Sequence, residues 1–105
     1  MKQRSVILLE SAKRDLRDLT IWLAKEVSPA VARRYVDNVQ SRIATLHLGA
    51  ERGTIRDAGR ALRVIGILPR TSLVFSVDDS HVYILRVLHG GQLFEFDDGD
   101  DQVDP

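Results

Sequence analysis

The chain contains no cysteine, which excludes disulfides, a thiolate zinc site and a cysteine nucleophile. It has no apolar run near the ~18–20 residues of a membrane span. Behind Met1-Lys2-Gln3-Arg4-Ser5 stand only the four apolar residues Val6–Leu9, too few for a signal-peptide core of ~7–15. A cytoplasmic protein without a membrane partner is expected. A glycine-rich phosphate loop, a His-x-x-x-His pair and a Ser-centred elbow are also missing. His47, His81 and His89 lie far apart in sequence, so neither a metal nor another cofactor is predicted. Basic residues are absent from Glu95–Pro105, which holds six acids. Nine of the fifteen acids therefore remain in Met1–Phe94 against all fifteen bases, a surplus of six positive charges. A basic body with an acidic tail suits an acidic or nucleic-acid-associated partner, and equally a solubilising tail on an arginine-rich surface.

What is present has the size of one domain: 105 residues, 44% of them apolar and 29% charged. Residues 1–96 are expected to form it, with 97–105 a disordered acidic tail. Val6–Leu9 reads as a short strand buried on both faces. Ser11 is placed to cap a helix running from Ala12 to about Glu26. Ala12, Leu16, Leu19 and Leu23 recur at helical spacing, and Trp22 widens the stripe. Arg14 and Asp18 stand at the i,i+4 spacing of an ion pair. Ser28-Pro29 marks a second start, a capping serine followed by proline at the first helical position. That helix is predicted to reach about His47, with Ala32, Tyr35, Val36, Val39, Ile43 and Leu46 inward and Arg33, Arg34, Asp37, Asn38 and Arg42 outward. Only about two residues separate the helices, and so short a connection favours an antiparallel helical hairpin.

Leu48–Arg60 reads as a basic loop carrying Arg52, Arg56 and Arg60. Three strands are then expected, over Ala61–Ile67, Ser72–Val77 and His81–Leu88, with a tight turn at Asp78-Asp79-Ser80. The last is the most strand-like run in the chain, and apolar residues on both of its faces suggest a central strand. Strict alternation would put Val82, Ile84, Arg86 and Leu88 on one face and Tyr83, Leu85, Val87 and His89 on the other. Strand, two helices, then three strands argue an α+β fold: an N-terminal strand and an antiparallel helical hairpin packed on a mainly antiparallel β-sheet.

One chemistry suits the polar residues. RNA cleavage through the 2′-hydroxyl needs a general base, a general acid and cations over the phosphate. Arg63, Arg70 and Arg86 lie on or beside predicted strands, and His89 ends one. The plainer alternatives are a sheet arginine paired with an acid or with carbonyls, a strand-end histidine bonded to backbone, and Trp22 and Tyr35 as core aromatics.

Leu8-Leu9-Glu10-Ser11-Ala12 with Asp15-Leu16, Ser28-Pro29 followed by Ala32 and Tyr35, Ile43 and Leu46 closing the second helix, Arg60 with Leu62-Arg63-Val64, and Val82–Gly90 together span most of the chain. In order and spacing they resemble the ParE branch of the RelE/ParE toxin superfamily. The chain departs from that pattern at Phe75, where tyrosine is common, and in its long acidic tail. The resemblance implies the toxin of a type II toxin–antitoxin module that inhibits DNA gyrase without an active site of its own. A ParD-like ribbon-helix-helix antitoxin would neutralise it in a hetero-oligomer, with operator DNA bound only through the antitoxin. The alternative is a RelE-like, ribosome-dependent mRNA endonuclease using Arg63, Arg86 and His89. A degenerate toxin that retains only antitoxin binding is a third reading. Expected antitoxin contacts are Trp22, Arg33, Arg34 and Arg42, beside an apolar groove along the hairpin; expected target contacts are Arg63, Arg86 and His89.

Overall fold

A computed structural model describes residues 2–57, 59 and 61–90. Arg60 and the acidic tail lie outside the described residues. The elements are β1 (Ser5–Leu8), α1 (Glu10–Glu26), α2 (Pro29–Ala44), a 3-10 turn (Thr45–His47), β2 (Thr54–Asp57), β3 (Leu62–Leu68), β4 (Thr71–Val77) and β5 (His81–His89). The five strands form one sheet in the order β1-β5-β4-β3-β2. Every pairing is antiparallel except β1 with β5. The helical hairpin covers one face, α1 lying on β5 and α2 on β3, so the α+β expectation holds. No helix among the described residues is long and apolar enough to cross a membrane.

The core follows from the helical stripes. Ala12 and Leu16 of α1 and Val39 and Ile43 of α2 are buried, and they meet Leu73, Phe75, Val82, Ile84 and Val87 of the sheet. A second cluster, Leu19, Leu23 and Ala32, joins the two helices near their connection. Ser28 caps α2 as predicted, its Oγ accepting from the Val31 N–H at 3.1 Å, with Pro29 behind it. Asp78 builds the β4–β5 turn by accepting from the Ser80 and His81 N–H groups at 2.9 and 2.7 Å. Those two bonds hold its carboxyl below the usual carboxylate range.

Several expectations are corrected. The hairpin covers only one face of the edge strand β1, so Val6 and Leu8 pack against the core and are half-buried while Ser5 and Ile7 are exposed; β1 is not buried on both faces. α1 begins at Glu10, and its N-cap is Leu9 with no side-chain bond. Ser11 does not cap; its hydroxyl donates to the Leu85 carbonyl at 2.6 Å. Trp22 is not a core aromatic, with 51% of its surface exposed. It precedes Leu23 by one position, which places it on the flank of the stripe rather than on its centre. The basic loop contains a strand, β2, missed because Thr54-Ile55-Arg56-Asp57 has a single apolar residue and owes its conformation to pairing with β3. Gly53 admits that strand: at φ +82 a Cβ there would stand 2.5 Å from the Val64 carbonyl oxygen.

The alternation assigned to β5 breaks in the middle. Val74 pairs with Arg86, but Phe75 pairs with Ile84, leaving Leu85 as an extra residue. The bulge resets the pleat, so Val87 joins Val82 and Ile84 on the core face and His89 follows it. β1 accompanies β5 only as far as Ile84. Beyond that point the start of α1 takes over the open edge, through Ser11 to the Leu85 carbonyl and Asp15 to the Val87 N–H.

Candidate functional site

The bulge and helix α1 create the most developed polar constellation of the described surface. Asp15 lies one turn past Ser11, on the side of α1 that faces β5. Its carboxylate takes the Arg86 guanidinium in a two-point pair, Nε to Oδ2 at 2.6 Å and Nη2 to Oδ1 at 2.9 Å. Oδ2 also accepts the Val87 N–H at 2.9 Å. The Asp15 side chain is 10% exposed and that of Arg86 31%. The bond to Asp15 holds the arginine still more firmly in its charged form. Arg86, the one full charge in β5, is thus tied to a helix 71 positions earlier.

Three residues further along β5, His89 sits between aromatic rings. The Trp22 ring lies 5.4 Å from its own, centroid to centroid, and the Tyr35 ring 5.9 Å away, edge on. The Tyr35 hydroxyl is 2.7 Å from Thr71 Oγ1, and that oxygen is 3.4 Å from His89 Nδ1. Thr71 is itself buried, so the phenol, the hydroxyl and the imidazole form one chain inside the hairpin–sheet junction. Burial, reinforced by the positive charge of Arg70, lowers the His89 pKa from its ordinary value.

A proton-linked result follows. With its folded pKa depressed, His89 binds protons more readily in the unfolded chain. Its contribution to stability is present above pH ~6.5 and is lost as the pH falls through the folded value. The His89 imidazole resonance, followed by NMR through acid, is expected to titrate below ~6.5, with Arg70→Gln moving it only part of the way back because burial is the larger cause. A wild-type midpoint at or above the ordinary value would contradict this environment.

The same flank of α1 opens as a notch of about 410 Å³ lined by Asp15, Asp18, Leu19, Trp22 and His89. Arg14 and Asp18 do not meet there: among the described residues Asp18 has no hydrogen bond or ion pair. On the other flank, Ala24 of α1 and Ala32, Val36, Arg33 and Asp37 of α2 border a shallow groove of about 300 Å³, the position expected for an apolar channel beside the hairpin. Arg33, Arg34 and Arg42 are all exposed.

The three residues named for RNA cleavage are not brought together. Arg63 pairs in register with Phe75, and Phe75 with Ile84, whereas His89 stands opposite Thr71. Those levels are four positions apart on β4, roughly 13 Å along the strands. Arg63 instead reaches the Arg52 carbonyl at 3.5 Å and borders a different depression, with Arg4, Glu51 and Asp78. Arg4 is buried there, bonded to the Asp78 carbonyl at 2.7 Å and near Glu51 at 3.5 Å. No group of three metal-ligating side chains converges among the described residues. Asp15, Asp18 and Thr71 were missed as site residues. The available signals were weak: two acids bordering an apolar helical stripe, and a lone arginine in an apolar strand that required a partner.

Comparison with known proteins gives a consistent picture. Residues 6–94 match the family described as ParE toxin of type II toxin-antitoxin system, parDE. No curated protein sequence matches. Among solved structures, the chain is similar to one from the chromosomal ParDE TA system of P. aeruginosa. That match has a TM-score of 0.75 at 18% identity over 84% of this chain and 97% of that one. It is also similar to a chain of the toxin-antitoxin complex RelBE2 from Mycobacterium tuberculosis, with a TM-score of 0.58 at 20% identity over 88% of this chain and 97% of that one. At these identities the two structures speak for the fold.

Proposed function

This chain belongs to the ParE toxin family of type II toxin–antitoxin systems, and we propose that it stops growth by inhibiting DNA gyrase and is held inactive by a ParD-like antitoxin. The observation that carries this reading over RNA cleavage is the dispersal of Arg63, Arg86 and His89. An acid–base nuclease needs its base, acid and phosphate-binding cations within reach of one substrate atom. Here Arg86 is engaged by Asp15 at 2.6 Å, and Arg63 stands four positions along the sheet from His89. A protein that acts by binding needs no such convergence; it needs a rigid surface, which the sheet and hairpin supply. In this reading Arg63, Arg86 and His89 contribute to the target surface, which the bound antitoxin covers in part where His89 borders the hairpin.

Antitoxin capture falls to the hairpin. An amphipathic partner segment can lay its apolar side along Ala24, Ala32 and Val36 while its acids meet Arg33, Arg34 and Arg42. A ribbon-helix-helix domain elsewhere in that partner would bind the operator. The neighbouring reading frame should encode such a protein.

Supercoiling by purified gyrase tests the central claim. Added toxin is expected to suppress supercoiling and to trap cleaved DNA, and prior addition of antitoxin to reverse both. Unchanged supercoiling at high toxin excess, together with cleavage of A-site mRNA in a translation extract, would replace this reading with the endonuclease one.

A further inference from the structure

We propose that the notch on the β5 side of α1 is a receptor for a basic side chain, arginine above all, supplied by the antitoxin segment. The proposal rests on the toxin–antitoxin reading and adds the chemistry of one anchor point to it. Asp15, Asp18, Leu19 and Trp22 stand at i, i+3, i+4 and i+7 of α1, a single stripe along the helix. His89 closes the far side. Leu19 is buried and forms the floor, while half of the Trp22 surface remains exposed beside it.

The charges select a cation. Asp15 and Arg86 neutralise one another through their two-point pair. Asp18 is exposed and, among the described residues, has no hydrogen bond or ion pair, so it gives the α1 wall of the notch an unpaired carboxylate. Arg70, near Gly90 at the end of β5, is not among the described lining residues, but its positive charge reaches His89, so a cation is drawn to the α1 wall, where Asp18 stands. An indole face beside a free carboxylate is the arrangement that a guanidinium fits, stacked on the ring and hydrogen-bonded at its edge. An acidic or phosphorylated ligand would meet Asp18 head on. The aliphatic part of an arginine or lysine suits Leu19, leaving its charged end at the rim.

The location also separates this anchor from the arginine-bearing groove. That groove borders Thr20 and Ala24 on the opposite flank of α1. An antitoxin segment that reaches both flanks must cross the exposed ridge at Ile21. Its sequence would then carry acids for α2 and a base for Trp22, spaced by the width of one helix, ~10 Å.

Calorimetric titration of the antitoxin encoded beside this chain's gene into the purified toxin tests the assignment. Asp18→Lys is expected to weaken binding by about 30-fold and Asp18→Asn by about 5-fold, while Asp18→Glu stays near wild type. Trp22→Leu, which keeps an apolar body without the indole, should weaken binding by roughly 10-fold. Changing the antitoxin's arginines and lysines singly to glutamine should reveal one whose loss adds nothing to Asp18→Asn. Because Trp22 is the only tryptophan of the chain, its resistance to acrylamide quenching in the complex reports occupancy directly. Wild-type affinity in Asp18→Lys overturns the proposal while leaving the antitoxin reading in place. Failure of the wild-type toxin to bind that antitoxin overturns both. If Asp18→Lys binds antitoxin normally but no longer inhibits gyrase, the notch serves the target and the assignment to antitoxin is wrong.

Discussion

Replacing Asp15 with alanine is expected to lower stability by about 3 kcal/mol, seen as a drop of roughly 1.5–2 M in the urea midpoint. The change removes three hydrogen bonds at once. The Arg86 guanidinium loses a two-point partner, and the Val87 N–H loses its acceptor. An unpaired buried N–H costs ~1–3 kcal/mol by itself. Arg86 adds less than a fully buried arginine would, because its side chain is 31% exposed and can turn to water. Arg86→Met should therefore cost only about 1–2 kcal/mol, since Asp15 still holds the Val87 N–H. A midpoint within ~0.3 M of wild type for Asp15→Ala would mean that the β5 edge closes without this carboxylate. Asp15→Asn retains an acceptor and belongs between the two, provided the amide turns its oxygen toward Val87.

The second large effect is expected at Phe75. Phe75→Ala should cost about 4 kcal/mol. Its ring is fully buried at the centre of β4 and faces the hairpin in company with Ile84 and Leu73. The helices cannot settle into the hole, because Ser11 and Asp15 hold α1 to β5 and Tyr35 holds α2 to Thr71. A domain of this size is stable by only ~5–15 kcal/mol, so the variant should melt far earlier and with a weaker near-ultraviolet signal. Adding antitoxin should recover much of that loss, since a partner that binds only the folded chain stabilises it by mass action. Unchanged thermal melting of Phe75→Ala would show that the core relaxes around position 75.

How much of this was legible beforehand depends on how far apart the interacting residues are. Both helices, their inward residues and the Ser28-Pro29 boundary were readable from the sequence, because helical periodicity and capping act over three or four positions. Strands β3 to β5 and the Asp78 turn were readable for the same reason. Together these determined the α+β class and the order of layers. The resemblance to ParE toxins was carried by the same segments.

Tertiary structure alone decided the rest. β1 could have joined either edge of the sheet, and its parallel pairing with β5 was settled by the helical hairpin that returns the chain over one face. β2 lacks an apolar pattern and exists by pairing with β3. The bulge at Leu85 moved Val87 and His89 onto the core face, a switch that two-residue periodicity cannot anticipate. The partner of Arg86 stands 71 residues away in sequence, and His89 meets Trp22 only because α1 lies along the end of β5. Local propensity specifies which segments become helix or strand; which side chains share a site follows from chain segments packed together across the whole length of the molecule.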